Sequence, residues 1–154
     1  MKYTLSQIAT LCSGQLIGTD RTVEEVTVDS RNYTYGERSM MAAIRGRNHD
    51  GHDFIEAAYA HGVRAFLVAR EPEVVHADAG YVVVADTLAA LQTLASDYRS
   101  RFAGRVVAVT GSTDKTLVKE WCAQSAPDGV KIFRSPKSYN SQLGVALSLL
   151  MIEG

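Results

Sequence analysis

The chain has 154 residues, of which 46% are hydrophobic and 21% charged, and carries a net charge of −1, the profile of a soluble globular polypeptide rather than a disordered one. That near-neutral balance excludes a surface suited to nucleic-acid backbones or acidic membranes, so an anionic ligand would need a local site. Cys12 and Cys122 stand far apart, no apolar signal segment opens the chain and no apolar run reaches membrane-spanning length, which excludes a disulfide framework, a zinc cluster and membrane insertion and points to a cytoplasmic protein.

Thr4-Leu5-Ser6-Gln7 reads as a capping box for a first helix, with Leu5, Ile8, Ala9 and Leu11 at helical spacing until Gly14. Short β-like runs follow at Leu16-Ile17, at Val26-Thr27-Val28 and from Met40 to Ile44. A second helix is expected from Phe54 to His61, stopped by Gly62. Ala65-Phe66-Leu67-Val68 and Tyr81-Val82-Val83-Val84-Ala85 are unbroken apolar runs of the kind found in strands covered on both faces. Asp86 or Thr87 can then cap a third helix, whose Leu88, Leu91, Ala95 and Tyr98 form one stripe. This order implies a layered α/β domain over residues 1–103.

Gly104 marks an expected boundary, because a new β-α-β succession begins after it. Residues 106–109 read as its strand, 116–122 as its helix with Trp121 in a core, 130–133 as its next strand, and Leu143, Ala146, Leu147, Leu150 and Met151 as a last helix. Residues 104–154 are too few for a complete phosphate-loop sheet, so this second domain is expected to be truncated and capable of self-association.

The turn Thr110-Gly111-Ser112-Thr113-Asp114-Lys115-Thr116 is close to a phosphate-binding loop. Gly111 and Ser112 would offer backbone N–H groups, Lys115 an ammonium and Thr116 a hydroxyl for magnesium, all at a helix N-terminus. The full pattern wants Gly where this chain has Asp114 and Val109. A carboxylate about 4 Å from a phosphate oxygen costs on the order of 4 kcal/mol at an effective dielectric near 20. That corresponds to roughly a thousandfold in affinity, so ATP binding is expected to be weak or absent.

Two other clusters stand at strand ends. Asp29-Ser30-Arg31 puts a hydroxyl and a guanidinium where open α/β sheets gather ligands, and reads as a pyrophosphate or uracil contact or as a solvated turn. The connection Arg45-Gly46-Arg47-Asn48-His49-Asp50-Gly51-His52 could wrap a nucleotide head group; equally, Asp50 or Asp53 could be a helix cap and His52 a turn residue bonded to backbone. Metal binding there is disfavoured for lack of ligand spacing. Tyr139-Asn140-Ser141-Gln142 could cap the last helix or meet a substrate. No Ser-His-Asp arrangement, reactive-thiol signature or paired-carboxylate motif is present.

Taken in order, Asp29-Ser30-Arg31, Ala43-Ile44-Arg45-Gly46, Asp50-Gly51-His52-Asp53-Phe54-Ile55, Val109-Thr110-Gly111-Ser112 with Lys115-Thr116, and Tyr139-Asn140-Ser141-Gln142-Leu143-Gly144-Val145 resemble the Mur ligase family over nearly the whole chain. The resemblance is to its UDP-N-acetylmuramoyl-tripeptide:D-alanyl-D-alanine ligases. Lys119-Glu120-Trp121 and Arg134-Ser135-Pro136 are similar to the subgroup fused to an alanine racemase. The resemblance implies a mixed-sheet domain that holds UDP-N-acetylmuramoyl peptide, followed by the start of a central domain using ATP and magnesium. In that family ATP phosphorylates the peptide carboxylate, and the amine of D-alanyl-D-alanine attacks the acyl phosphate. By position, Ser30, Arg31, Asp50, Gly51, His52 and Asn140 would lie near the UDP-sugar, and Gly111, Ser112, Lys115 and Thr116 near the ATP phosphates, with Thr116 on the metal. The family loop has Asn-Gly where this chain has Thr113-Asp114, and the later magnesium ligands, modified lysine, adenine site and C-terminal domain lie beyond the sequence. An N-terminal part of the ligase, inactive alone, is the leading expectation. A non-catalytic nucleotide-sugar-binding module with a degenerate ATP loop is the alternative, and a generic phosphate-loop hydrolase is disfavoured.

Overall fold

A computed structural model describes residues 1–29, 36–136 and 139–153. The first helix, α1 (Leu5–Leu11), begins as its capping box requires: Gln7 N donates to Thr4 Oγ1 at 3.2 Å and Thr4 N to Gln7 Oε1 at 2.9 Å. It is flanked by two-residue strands β1 (Tyr3–Thr4) and β3 (Thr22–Val23), paired antiparallel, with β2 (Gln15–Gly18) between them in sequence. Neither two-residue strand is visible in the sequence, because two residues carry no period.

The main sheet adds β4 (Glu25–Thr27), β5 (Ser39–Ala42), β6 (Ala65–Val68) and β7 (Gly80–Val83) to β2, in the order β2-β7-β6-β5-β4. β4 through β7 run parallel and β2 closes one edge antiparallel to β7. Alternation along these strands splits the core into two layers. Met40, Ala42, Ala65, Leu67 and Val82 face one side, while Met41, Phe66, Val68 and Tyr81 face the other.

The second side is covered by α2 (Ile55–Ala60) through Ile55 and Ala58. A 3-10 turn (Gly51–Phe54) precedes it, so the expected helix over 54–61 starts with a tighter turn. The first side is covered by α1, by α3 (Thr87–Arg101) and by α5 (Gln142–Leu150), which contribute Leu5, Ile8, Leu91, Leu94, Ala146 and Leu150. Asp86 caps α3 by accepting from Ala89 N at 3.0 Å, and Ser141 caps α5 by accepting from Gly144 N at 3.0 Å. The Tyr98 hydroxyl donates to the Ile152 carbonyl at 2.5 Å, fastening the end of α5 to α3.

Between α3 and α5 the outcome differs from expectation. α4 (Lys115–Gln124) forms, but among the described residues 106–109 and 130–133 form no strand. A buried strand needs a neighbour for its ladder and cover on both faces; Val107 is 78% exposed and Val130 56%. Trp121, expected in a core, is 57% exposed, because α4 buries none of its residues. Lys119 donates to the Ser135 carbonyl at 2.7 Å and Arg134 pairs with Glu120, so the two stretches similar to the racemase-fused subgroup lie side by side.

Candidate functional site

The carboxyl ends of the parallel strands β4 to β7 meet along one edge of the sheet, the place where open α/β sheets hold ligands. β4 ends in a turn closed by Thr27, whose hydroxyl donates to the Asp29 carbonyl at 3.2 Å and accepts from Asp29 N at 3.1 Å. Ser30 and Arg31, named above for this edge, lie outside the described residues. After β5 the chain turns back on itself: Arg45 and Asp50 form an antiparallel bridge and Gly46 N donates to the His49 carbonyl at 2.8 Å. Gly51 then passes so close to the strand end that a Cβ there would sit 2.6 Å from Ile44 N and 3.0 Å from Ala43 Cα. This contact explains why a glycine stands at 51. Buried Thr87, in the first turn of α3, donates its hydroxyl to the Ala43 carbonyl at 2.9 Å and ties the edge to the helix layer.

Asp50 is the hub of this edge. Its Oδ1 accepts from His52 N at 3.0 Å and from His52 Nδ1 at 2.6 Å, and its Oδ2 from Arg70 Nη1 at 2.9 Å. Arg45 Nε stands 3.7 Å from the same oxygen. The His52 backbone N–H, the His52 ring and the Arg70 guanidinium together hold the Asp50 carboxyl well below the usual carboxylate range, against some desolvation. The His52 side chain is 4% exposed, and its Nε2 accepts from Ala69 N at 2.9 Å, at the end of β6. That bond places the ring proton on Nδ1, facing Asp50.

Asp50 as cap and His52 as a turn residue bonded to backbone were the plainer readings of these two positions, and these are the bonds present. Their side chains act inward, stitching the 45–52 connection to the end of β6. The Arg45 and Arg70 side chains stay largely accessible, at 76% and 50% exposure. Arg70 belongs to none of the clusters picked out above, although it carries the same signal as Arg31, a basic residue just past an apolar β-run.

The loop at 110–116 lies apart from this edge in sequence. Asp114 occupies the helix N-cap position of α4 with φ +59° and ψ 12°, and its side chain makes no capping bond. This left-handed conformation suits glycine and strains a residue with a Cβ. The Lys115 ammonium turns back onto the Gly111 carbonyl at 2.5 Å. Ser112 and Thr116 are exposed, as is Asn140 before α5. Among the described residues no group of three or more His, Cys, Asp or Glu is placed to hold a metal ion. The left-handed backbone at 114 is one that glycine adopts without cost, while a carboxylate at that position would oppose a polyphosphate.

Comparison with known proteins agrees with this architecture. A family model described as "Mur ligase family, catalytic domain" matches residues 22–99. The UDP-N-acetylmuramoyl-tripeptide–D-alanyl-D-alanine ligase of Escherichia coli K12 is 36% identical over 152 residues, 99% of this chain and 32% of that protein. The ligase of the same name from Bacillus subtilis 168 is 29% identical over 97% of this chain and 33% of its own length. A crystal structure of MurF from Acinetobacter baumannii superposes with a TM-score of 0.82 at 27% identity, covering 99% of this chain and 34% of that one. MurF ligase from Thermotoga maritima, solved in complex with ADP, gives 0.72 at 30% identity over 86% of this chain and 30% of its own. The chain spans about a third of the length of the curated relatives it matches. On the strength of the family match, the sequence identities and the shared fold, this chain belongs to the Mur ligase family.

Proposed function

We propose that this chain is the substrate-holding N-terminal part of an ATP-dependent amide ligase of peptidoglycan precursor synthesis, joining D-alanyl-D-alanine to UDP-N-acetylmuramoyl-tripeptide. The observation that carries the reading is the match to MurF over 99% of the chain, combined with a strand-end edge built from Thr27, Asp50, Gly51 and His52. Residues 1–103 would take the UDP-sugar, with Ser30 and Arg31 beside the 45–52 connection and Asn140 approaching from the second unit. Residues 104–154 would be the opening of the ATP-binding domain. Its Gly111, Ser112, Lys115 and Thr116 would face phosphates and magnesium in the whole enzyme, supplying charge neutralisation for phosphoryl transfer. In this chain Asp114 opposes that role, and ligation by it alone is not expected. A cytoplasmic location fits a substrate of this kind; among the described residues no helix is long and apolar enough to cross a membrane.

The alternative, a nucleotide-sugar-binding module without catalysis, draws support from the strained Asp114 and the inward-turned Lys115. Both readings share the UDP-sugar edge and part at the ATP loop. Thermal denaturation with UDP-N-acetylmuramoyl-tripeptide, UDP, ADP and inorganic phosphate tests them together. Protection by the two uridine ligands is expected; equal protection by all four, or none, contradicts the UDP-sugar reading. Protection by ADP as strong as by UDP contradicts the alternative.

A further inference from the structure

With Asp50 engaged by several donors and both His52 nitrogens bonded within the protein, the side chains best placed to meet an anion at this edge are their neighbours. Arg70 uses one nitrogen, Nη1, on Asp50 at 2.9 Å, and its Nη2 reaches only to 4.0 Å from the exposed Asp53. Arg45 reaches toward the same Asp50 carboxylate oxygen, 3.7 Å away through Nε, and is largely in solvent. A guanidinium carries five N–H donors in a planar fork, so each arm keeps donors free after this contact. With Asp53 counted beside Asp50 the two cations are balanced by two carboxylates, so what this position offers an anion is the free N–H donors of the two forks, at the carboxyl ends of parallel strands.

We propose that Arg70, with Arg45 beside it, is the anion-binding arm of this edge, taking the diphosphate of the nucleotide sugar, and that Asp50 is the positioning residue that aims it. The proposal rests on the UDP-sugar reading above and adds the side chains that would touch the charged part of the ligand. Asp50 restrains the Arg70 fork before the ligand arrives, which lowers the ordering cost on binding. His52 and Ala69 fix the distance between the two chain segments that carry the arms.

Isothermal titration of the 154-residue chain with UDP and with uridine tests this. Arg70→Gln is expected to weaken UDP binding by about tenfold or more, the loss of one charge-assisted contact, and to leave uridine binding unchanged. Its melting temperature should stay close to that of the parent, because an exposed ion pair contributes little to stability. Arg70→Lys keeps the charge and the Asp50 partner but not the fork, and should fall between the two; if Arg70→Gln fails to fold, this variant carries the test. UDP affinity within twofold of the parent in the folded variant overturns the proposal, as does an equal loss for UDP and uridine. A parent chain that binds neither ligand overturns the UDP-sugar reading itself.

Discussion

Asp50 and Asp114 show how one residue type acts oppositely at two loops. At 50 the carboxylate is surrounded by donors, so its ionised form is favoured by folding and its pKa is depressed. A group depressed in this way contributes stability above its unfolded value, near 4, and that contribution is lost as the pH falls toward the folded value. The melting-temperature difference between the parent and Asp50→Asn should therefore be largest above about pH 4 and shrink at lower pH; a difference independent of pH between about 2 and 6 would remove Asp50 from the hub. At 114 the carboxylate has no capping bond and sits on a left-handed backbone. Asp114→Gly should relax that backbone and tighten ADP binding by about tenfold or more, read by calorimetry. Unchanged affinity would show that the carboxylate points away from the phosphates.

Elements whose signals are local were legible in the sequence. Thr4 with Gln7 and Asp86 with Ala89 are caps closed within three residues; the apolar run at 65–68 is buried throughout as its composition implies, and of the run at 81–85 Tyr81, Val82 and Val84 are buried while Val83 is partly covered and Ala85 exposed. Elements that depend on a distant partner were not. The apolar runs at 106–109 and 130–133 have the composition of strands but no neighbour to pair with, and periodicity reports what a segment could bury rather than what covers it. The same limit hid the edge: the sequence shows Asp50 and His52, but Arg70 and Ala69 reach them across 20 and 17 positions. Gly51 lies between the two cases, since the residue is visible and its reason, the approach to Ile44, is not. Gly51→Ala should push the turn off the end of β5 and lower stability by about 1–3 kcal/mol, measured by urea denaturation; a neutral effect would mean that the turn is free to shift.

At the scale of the molecule, the chain is one three-layer core with an excursion. α5 returns to that core, packing Ala146 and Leu150 with Leu91 and Leu94, while α4 and its flanking segments leave Val107, Leu117, Trp121 and Ile132 exposed. We propose that 104–154 begins a second domain in the longer family members and that its open apolar surface favours self-association here. Amide exchange in a dilute sample should be fast over 106–133 and slow in α3 and α5, with protection of 106–133 rising with concentration; uniform protection at every concentration would contradict this division. α5 thereby connects the loop segment to the same helix layer that supports the strand-end edge. The placement of the ligand on that edge is the point from which the rest follows, and backbone amide chemical shifts of the labelled chain during titration with UDP-N-acetylmuramoyl-tripeptide test it most directly. Shifts concentrated at Asp29, at 43–52 and at Ala69 and Arg70 are expected; an absence of shifts, or shifts centred on the groove formed by Leu11, Gln92 and Ser96 on the helix side, would contradict it.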